Sequence, residues 1–356
     1  MVKLIPITAT RTGVAYALAA AALFGASTPF AKLLLGELPP VALAGMLYLG
    51  SGVGLSAWWL LSRLRRRPAE AGLKRADLPW LAGAVASGGV VGPALLMLGL
   101  ARTPASSAAL LLNLEGVLTA LLAWFVFREN FDRRIALGMA AITAGGVVLS
   151  WGGTPEAGVP WGPLAVAGAC LAWAIDNNLT RKVSASDPVQ IAAVKGLVAG
   201  GVNLAAGVAI GFPAPAPPLV AAAGAVGFVG YGASLVCFVL ALRHLGTART
   251  GAYFSLAPFV GAGLSLVVLS EAVTASLALA AALMGVGLYL HLTERHDHVH
   301  THEPLSHDHM HSHDEHHRHA HAPGDPPGEP HSHPHRHEAM THAHPHYPDI
   351  HHRHGH

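Results

Sequence analysis

Charge is scarce in this chain. Only 12% of its 356 residues are Asp, Glu, Lys or Arg, about half the roughly 25% of a soluble domain. That shortage excludes an ordinary water-facing surface for most of the molecule. Cysteine is nearly absent, with Cys170 and Cys237 in separate apolar runs. Two isolated thiols make neither a disulfide framework nor a CxxC or Cys/His zinc finger. No GxxxxGK[ST] loop occurs, which disfavours an ATP-driven pump. HExxH is missing, since His302-Glu303 and His337-Glu338 lack the second His at its spacing. No GxSxG precedes a triad either. No enzyme and no nucleic-acid partner is expected.

What is present is a sequence suited to lipid. Hydrophobic residues make up 52%, glycines number 40, and mean hydropathy is +0.44. A bilayer core takes about 20 mostly apolar residues per helix. Ten runs reach that length: 13–35, 41–61, 78–101, 105–127, 134–151, 161–180, 189–211, 219–242, 247–270 and 275–291. They are rich in Ala and Leu and lack strand-like alternation. Helices are the form expected, because lipid satisfies no open backbone group. The first run is too long for a signal-peptide core of about 7–15 residues, so it reads as a retained span. Turn chemistry marks the breaks: Pro39-Pro40, Pro68, Gly152-Gly153-Thr154-Pro155, Pro188, and Pro213 to Pro218.

Lys and Arg set the expected orientation. With the N-terminus in the cytoplasm, that side holds Lys3, Arg11, Arg63, Arg65, Arg66, Arg67, Lys74, Arg75, Arg128, Arg133, Arg134, Arg181, Lys182, Arg243, Arg249 and Arg295. The other side holds Lys32 and Arg102, both near span ends. An even count of spans returns the tail to the cytoplasm. The expected setting is multi-pass in the inner membrane.

Small residues four apart recur at Gly50/Gly54, Gly88/Gly92, Gly196/Gly200 and Gly207/Gly211. Such spacing lets helix backbones approach closely. It serves packing within one bundle or, alternatively, a homodimer seam.

The two halves repeat. Residues 98–145 lie on 240–287 without a gap, at an offset of 142. Leu114/Leu256, Glu129/Glu271 and Gly145/Gly287 coincide. Residues 23–40 resemble 172–189, with Phe24 on Trp173, Lys32 on Arg181 and Pro39 on Pro188. Five spans per half is an odd number, so the second half is inverted relative to the first. Inverted repeats are a recurrent plan of secondary transporters, with the site at the repeat interface.

With Ala241-Leu242, Thr247-Ala248, Leu256-Ala257-Pro258 and Glu271 in one half, and Leu100-Ala101, Ala105-Ser106, Leu114-Glu115-Gly116 and Glu129 in the other, the chain resembles the EamA family of the drug/metabolite transporter superfamily. The resemblance covers roughly residues 12–292. It implies an all-α membrane protein of ten transmembrane helices, arranged as two inverted five-helix repeats (12–151 and 160–292). Both termini would be cytoplasmic and the cargo a small metabolite. One departure stands out. The family tends to place Pro in the middle of span 4, as Pro258 stands in span 9; here Gly116 follows an acid.

Several polar groups in the spans could carry chemistry. Glu115 is eleven residues into span 4. A charge at that depth costs several kcal/mol and belongs against the bundle interior or a wet cavity. Thr119 shares its face one turn on, whereas Asn113 does not. Glu115 reads as a cation ligand or proton carrier, or else as a hydrogen-bonded structural acid. Asp176, Asn177 and Asn178 close span 6. They line a cavity, or they cap the helix end and pair with Arg181 or Lys182. Lys195 is seven residues into span 7, about 10 Å deep. It snorkels or pairs with Glu115 or Asp176. Asn203 and Tyr231 are weaker pathway candidates, each more often a helix–helix hydrogen bond. Trp173 reads as packing or an interfacial ring. Glu129 and Glu271 read as caps or family signature positions.

The tail, 296–356, holds 23 of the 25 histidines. His307, His309, His311, His313, His316, His317, His319, His331, His333, His335, His337, His351 and His352 are its candidate metal ligands. Such tracts bind zinc, nickel or cobalt through neutral imidazole. With almost no apolar residues, the tail is expected to be disordered without metal. No resident cofactor is required.

The expectation is therefore a secondary transporter working by alternating access, with a proton as a candidate coupling ion. Its cargo is either a divalent transition metal captured by the tail or a small organic solute such as an amino acid. A membrane metal sensor without transport is the competing class.

Overall fold

The computed structural model describes residues 7–64, 72–127, 133–151, 159–180, 182–183, 186–245, 250, 253–292, 297–302, 305–311, 331–337 and 340–345. Among them are ten helical rods: α1 (Ile7–Leu34), α2 (Pro40–Leu64), α3 (Leu78–Ala84, Val85–Val91 and Gly92–Ala101 in sequence), α4 (Ala105–Leu111 and Leu114–Phe127), α5 (Arg133–Trp151), α6 (Trp161–Thr180), α7 (Pro188–Ala209), α8 (Pro217–Gly227, Phe228–Ala233 and Ser234–Leu245), α9 (Ala257–Val268, preceded by helical Tyr253 and Phe254) and α10 (Ala275–Leu292). Six stretches are long and apolar enough to cross a membrane: Thr12–Leu34, Pro40–Ser62, Arg75–Ala101, Ala105–Leu122, Val189–Ala209 and Pro217–Ala241. Shorter apolar helices run over Ala136–Ser150, Ala257–Val268 and Ala275–Leu290. The rods fall within a few residues of the ten apolar runs. Proline opens α2, α7 and α8, where its missing N–H costs nothing. Asp187 caps α7 by accepting from Val189 N at 2.9 Å and Gln190 N at 3.3 Å. Gly211, at φ +88°, turns the chain out of α7.

Four rods are not the plain helices that their composition predicts. α3 widens into π-helical turns over Val85–Val91, and α8 does so over Phe228–Ala233. In α3 the cause is Pro93, which has no N–H to give the carbonyl of Gly89. The Gly92 amide reaches back to Ser87 O instead. α4 breaks at Leu112–Asn113 and α9 at Ser255–Leu256. Pro258 accounts for the second break; in α4 the Asn113 side chain donates to Leu110 O at 2.9 Å. The repeat register equates the two π segments, and the two breaks, to within one residue. Irregularity is thus part of what the halves share.

Close backbone packing holds the bundle together. α2 and α7 meet through Gly45, Gly52, Gly196 and Gly200. A Cβ on Gly200 would sit 2.5 Å from Leu49 N, and one on Gly52 2.5 Å from Leu197 N. α5 and α10 meet at Gly287, whose Cβ would lie 2.6 Å from Gly138 O. Of the small-residue pairs, Gly50 faces Gly224, Gly54 faces Phe228, and Gly207 faces Ala42. These stripes serve packing within the one chain. The main apolar core joins α1, α2, α3, α4 and α6 through residues such as Leu43, Leu47, Met97, Leu100, Leu111 and Val166. A second joins α4, α5, α9 and α10 through Val117, Met139, Ile142, Leu277 and Met284. Val53, Leu137, Val208, Val267 and Val286 are exposed, as a lipid-facing surface requires.

In the tail, four strands form two antiparallel ladders. β1 (Asp297–His302) pairs with β4 (Met340–Pro345), and β2 (Leu305–His311) with β3 (His331–His337). Ladder bonds use main-chain groups only and need no apolar core. The register sets His307 opposite His335, His309 opposite His333 and His311 opposite His331.

Candidate functional site

The break in α4 puts Glu115 in the first turn of the helix Leu114–Phe127. Its own N–H bonds Leu112 O at 3.1 Å, in the tightened i→i+3 pattern of a helix restart. The partly positive N-terminus of that half-helix favours a carboxylate there. Across from it, α6 brings Asn177. Its Nδ2 donates to Glu115 Oε1 at 2.8 Å and to Thr119 Oγ1 at 3.5 Å. Glu115 and Thr119 do share a face, as their spacing predicts. Asn113 turns away towards Met284 of α10.

Asp176, the residue before Asn177, holds the other charge. Lys195 Nζ of α7 lies 2.6 Å from both its carboxylate oxygens. Thr180, one turn along α6, donates to Asp176 Oδ1 at 2.8 Å. The side chains are 18% and 8% exposed for Lys195 and Asp176. Lys195 therefore neither snorkels nor meets Glu115; of its two proposed partners it takes Asp176. Asp176 in turn is held by Lys195; Arg181 lies outside the described residues. The two consecutive residues Asp176 and Asn177 tie α7 to one side of α6 and α4 to the other.

The π segment of α3 is the floor of this arrangement. Gly88 packs directly under the Asp176 carboxylate, where no Cβ would fit. Diverting the Gly92 amide to Ser87 leaves the Gly88 carbonyl off the regular ladder. A buried carbonyl must find another donor. Here it accepts from Trp173 Nε1 at 2.9 Å and Tyr48 OH at 3.1 Å. Asn203 Nδ2 serves the next carbonyls, Val90 O at 3.2 Å and Gly89 O at 3.4 Å. Asn203 is thus engaged in helix–helix bonding beneath the cluster. Asn178 bonds Ala174 O of its own helix at 2.8 Å and is not brought into the cluster.

Tyr48 and the rings beyond it are the parts that sequence reasoning missed. Tyr48 lies within electrostatic reach of Asp176, Glu115 and Tyr231. Its ring centroid is 5.7 Å from that of Tyr231. Tyr231 meets Phe24 edge-on at 5.6 Å; Phe24 meets Phe254 at 5.6 Å, and Phe254 meets Phe238 at 5.0 Å. All five rings are half-buried. A row of aromatic faces drawn from both repeats, Tyr48 and Phe24 from the first and Tyr231, Phe254 and Phe238 from the second, thus leads to the charged cluster. A lone Tyr in an apolar run carries no periodic signal. The one available hint was Tyr231 itself.

Of the candidate metal ligands, His307, His309, His311, His331, His333, His335 and His337 lie on β2 and β3. His313, His316, His317, His319, His351 and His352 lie outside the described residues. Among residues with described side chains, no group of three or more His, Cys, Asp or Glu could hold a metal ion.

Two stretches, residues 11–151 and 160–293, match the EamA-like transporter family. A protein of Methanothermobacter thermautotrophicus, described as an uncharacterized transporter, is 29% identical over 262 residues, spanning 70% of this chain and 76% of that protein. A protein of known crystal structure, 21% identical, superposes with a TM-score of 0.56 over 80% of this chain and 95% of its own. That last likeness concerns the fold alone.

Proposed function

The chain belongs to the EamA-like transporter family, and from that premise we propose that it carries a small organic solute by alternating access past Glu115, Thr119, Asn177, Asp176 and Lys195, with a proton as coupling ion on Glu115. That it is a multi-pass membrane transporter of small solutes follows from the family. The route and the coupling are the proposal. The observation that carries it is the pair of adjacent residues on α6, Asn177 holding Glu115 and Asp176 holding Lys195. Charges of both signs inside a membrane bundle are costly and mark substrate or ion pathways. Here they sit where an interrupted helix meets a π segment, the kind of discontinuity at which secondary transporters bind cargo. The aromatic row offers apolar faces beside the charges. An amino acid or a similar solute bearing ammonium, carboxylate and apolar parts suits such a lining.

The sequence asymmetry of Lys and Arg supports a setting in the inner membrane with the N-terminus and tail in the cytoplasm. The second reading, transport of zinc, nickel or cobalt, is favoured by the 23 tail histidines.

The test is transport in proteoliposomes under an imposed pH gradient, read with a pH-sensitive dye. A panel of amino acids would be run beside zinc, nickel and cobalt. Solute-dependent proton movement in the wild type, lost in Glu115→Gln, is the expected result. Equal movement in wild type and Glu115→Gln would sink the role of Glu115. Flux of a metal without any organic solute would move the conclusion to the second reading.

A further inference from the structure

The tail ladders set histidine against histidine. Along β2 the histidines take every second position, His307, His309 and His311; along β3 so do His331, His333 and His335. Residues two apart in a strand share a face. Histidines of one strand oppose those of the other only if the register keeps the two sets in phase. A slip of one residue would oppose β2's three to Ser332, Pro334 and Arg336. The register keeps the phase, and all three positions on β2 have a histidine partner on β3. Ser306, Asp308 and Met310 pair with Arg336, Pro334 and Ser332 on the other face. Every histidine of these two strands therefore falls on one face. The ladder of β1 and β4 repeats the arrangement on its own, with His298 opposite His344 and His300 opposite His342.

The main chain also fixes the kind of pair. Opposed residues in an antiparallel ladder alternate between those that exchange hydrogen bonds and those that do not. Pro334 has no N–H to exchange, so it suits the second kind. The histidine pairs on either side of it are then of the first kind, with Cα atoms about 5.5 Å apart. Opposed Cβ atoms are about 4.5–5.5 Å apart. Two imidazoles from such positions have the reach to share one ion at metal–nitrogen distances of about 2.0–2.1 Å. Successive histidines along one strand are farther apart, about 7 Å. The cross-strand partner is thus the nearer one.

We propose that each facing histidine pair of β2 and β3 is a two-imidazole site for a borderline divalent ion such as zinc, nickel or cobalt. Neutral imidazole suits these ions. The ions bind in a row along one face and cross-link the two strands, closing the loop of 19 residues between them. Such binding needs no passage of metal through the bundle, so it stands apart from the reading of the cargo. A histidine-rich chain with no register would bind metal as well, but its capacity would follow the number of histidines alone. The ladder makes capacity depend on which histidines remain.

The experiment is equilibrium dialysis of the full chain in detergent micelles against zinc. Every tail histidine other than these six is replaced by Asn, and protein truncated after Glu294 is the blank. This parent should bind three ions per chain above the blank, one for each pair. His309→Asn should bind two, and so should His309→Asn with His333→Asn, which removes both members of the same pair. His309→Asn with His335→Asn loses as many histidines but breaks two pairs, and should bind one. Equal capacities in the two double variants would overturn the proposal.

A second measurement keeps the natural tail, should the Asn replacements abolish the ladder. Amide hydrogen exchange of the unaltered protein is followed by mass spectrometry with and without zinc. At ten times its dissociation constant, zinc should slow exchange in β2 and β3 together by about tenfold. Zinc that binds and leaves exchange in the two strands unchanged would overturn the proposal as well.

Discussion

Breaking the Lys195–Asp176 pair from one side should cost as much as removing both partners together. Exposed ion pairs contribute only about 0–1 kcal/mol, but this one is enclosed, with side chains 18% and 8% exposed. Both carboxylate oxygens are 2.6 Å from Nζ, and Thr180 occupies a further lone pair of Asp176. Removing one member of such a pair strands the other charge, at a cost of about 3–5 kcal/mol. Lys195→Met leaves Asp176 pressed against Gly88 with one hydroxyl for company. Asp176→Asn leaves an ammonium facing the amide that replaces its carboxylate. Each should cost about 3 kcal/mol. The double variant strands no charge and should also cost about 3 kcal/mol, half the sum of the singles. The coupling of about 3 kcal/mol is at the upper end of those measured between contacting residues. The assay is reversible unfolding in mixed micelles, followed by tryptophan fluorescence across the full mutant cycle. A double variant whose cost equals the sum of the singles within about 0.5 kcal/mol would refute the enclosed-pair argument.

Two further outcomes are expected. Gly200→Ala should lower stability by about 1–3 kcal/mol in the same unfolding assay, because its Cβ would meet the backbone of α2 at Leu49 and overpacking has that cost. Truncation after Glu294 should abolish high-capacity nickel binding in equilibrium dialysis while leaving organic-solute flux intact; a loss of that flux would tie the tail to the transport cycle.

Most of the fold could be read from hydropathy, because lipid forces every apolar run of sufficient length into a helix. The inverted arrangement followed from counting five spans per half. The irregular turns were hidden. An Ala- and Leu-rich run looks the same whether its ladder is α or π, and only Pro93 and Pro258 hinted otherwise. Glu115, Asp176 and Lys195 were conspicuous as charges in apolar surroundings, but their pairing was not. Choosing between Glu115 and Asp176 for Lys195 depends on how α7 lies against α6, and Gly88 and Gly89 set that by letting α3 approach both. Tyr48 was invisible for a similar reason, since its partner is a carbonyl released only by the π turn. The tail ladders depend on backbone pairing across 19 or more intervening residues, which composition does not encode.

The two halves share their breaks and π turns, but the surroundings of the two π segments differ. In the first half the π segment carries Gly88 and Gly89 and is followed by Pro93, and polar groups of α2, α6 and α7 gather on its released carbonyls. In the second half the matching segment carries Tyr231, and its Gly230 packs on Ser27. Each repeat supplies both charged groups and aromatic faces: Glu115, Phe24 and Tyr48 come from the first, and Asp176, Lys195, Tyr231 and Phe254 from the second. A bare metal ion would need several anionic or imidazole ligands converging on one point, and the cluster offers Glu115 plus an Asp176 already engaged by Lys195. A solute with both a charged end and an apolar end has a use for the charges and for the rings. Because both sets are shared between the repeats, it would lie at the repeat interface, and rocking one repeat against the other would then hand it from one face to the other.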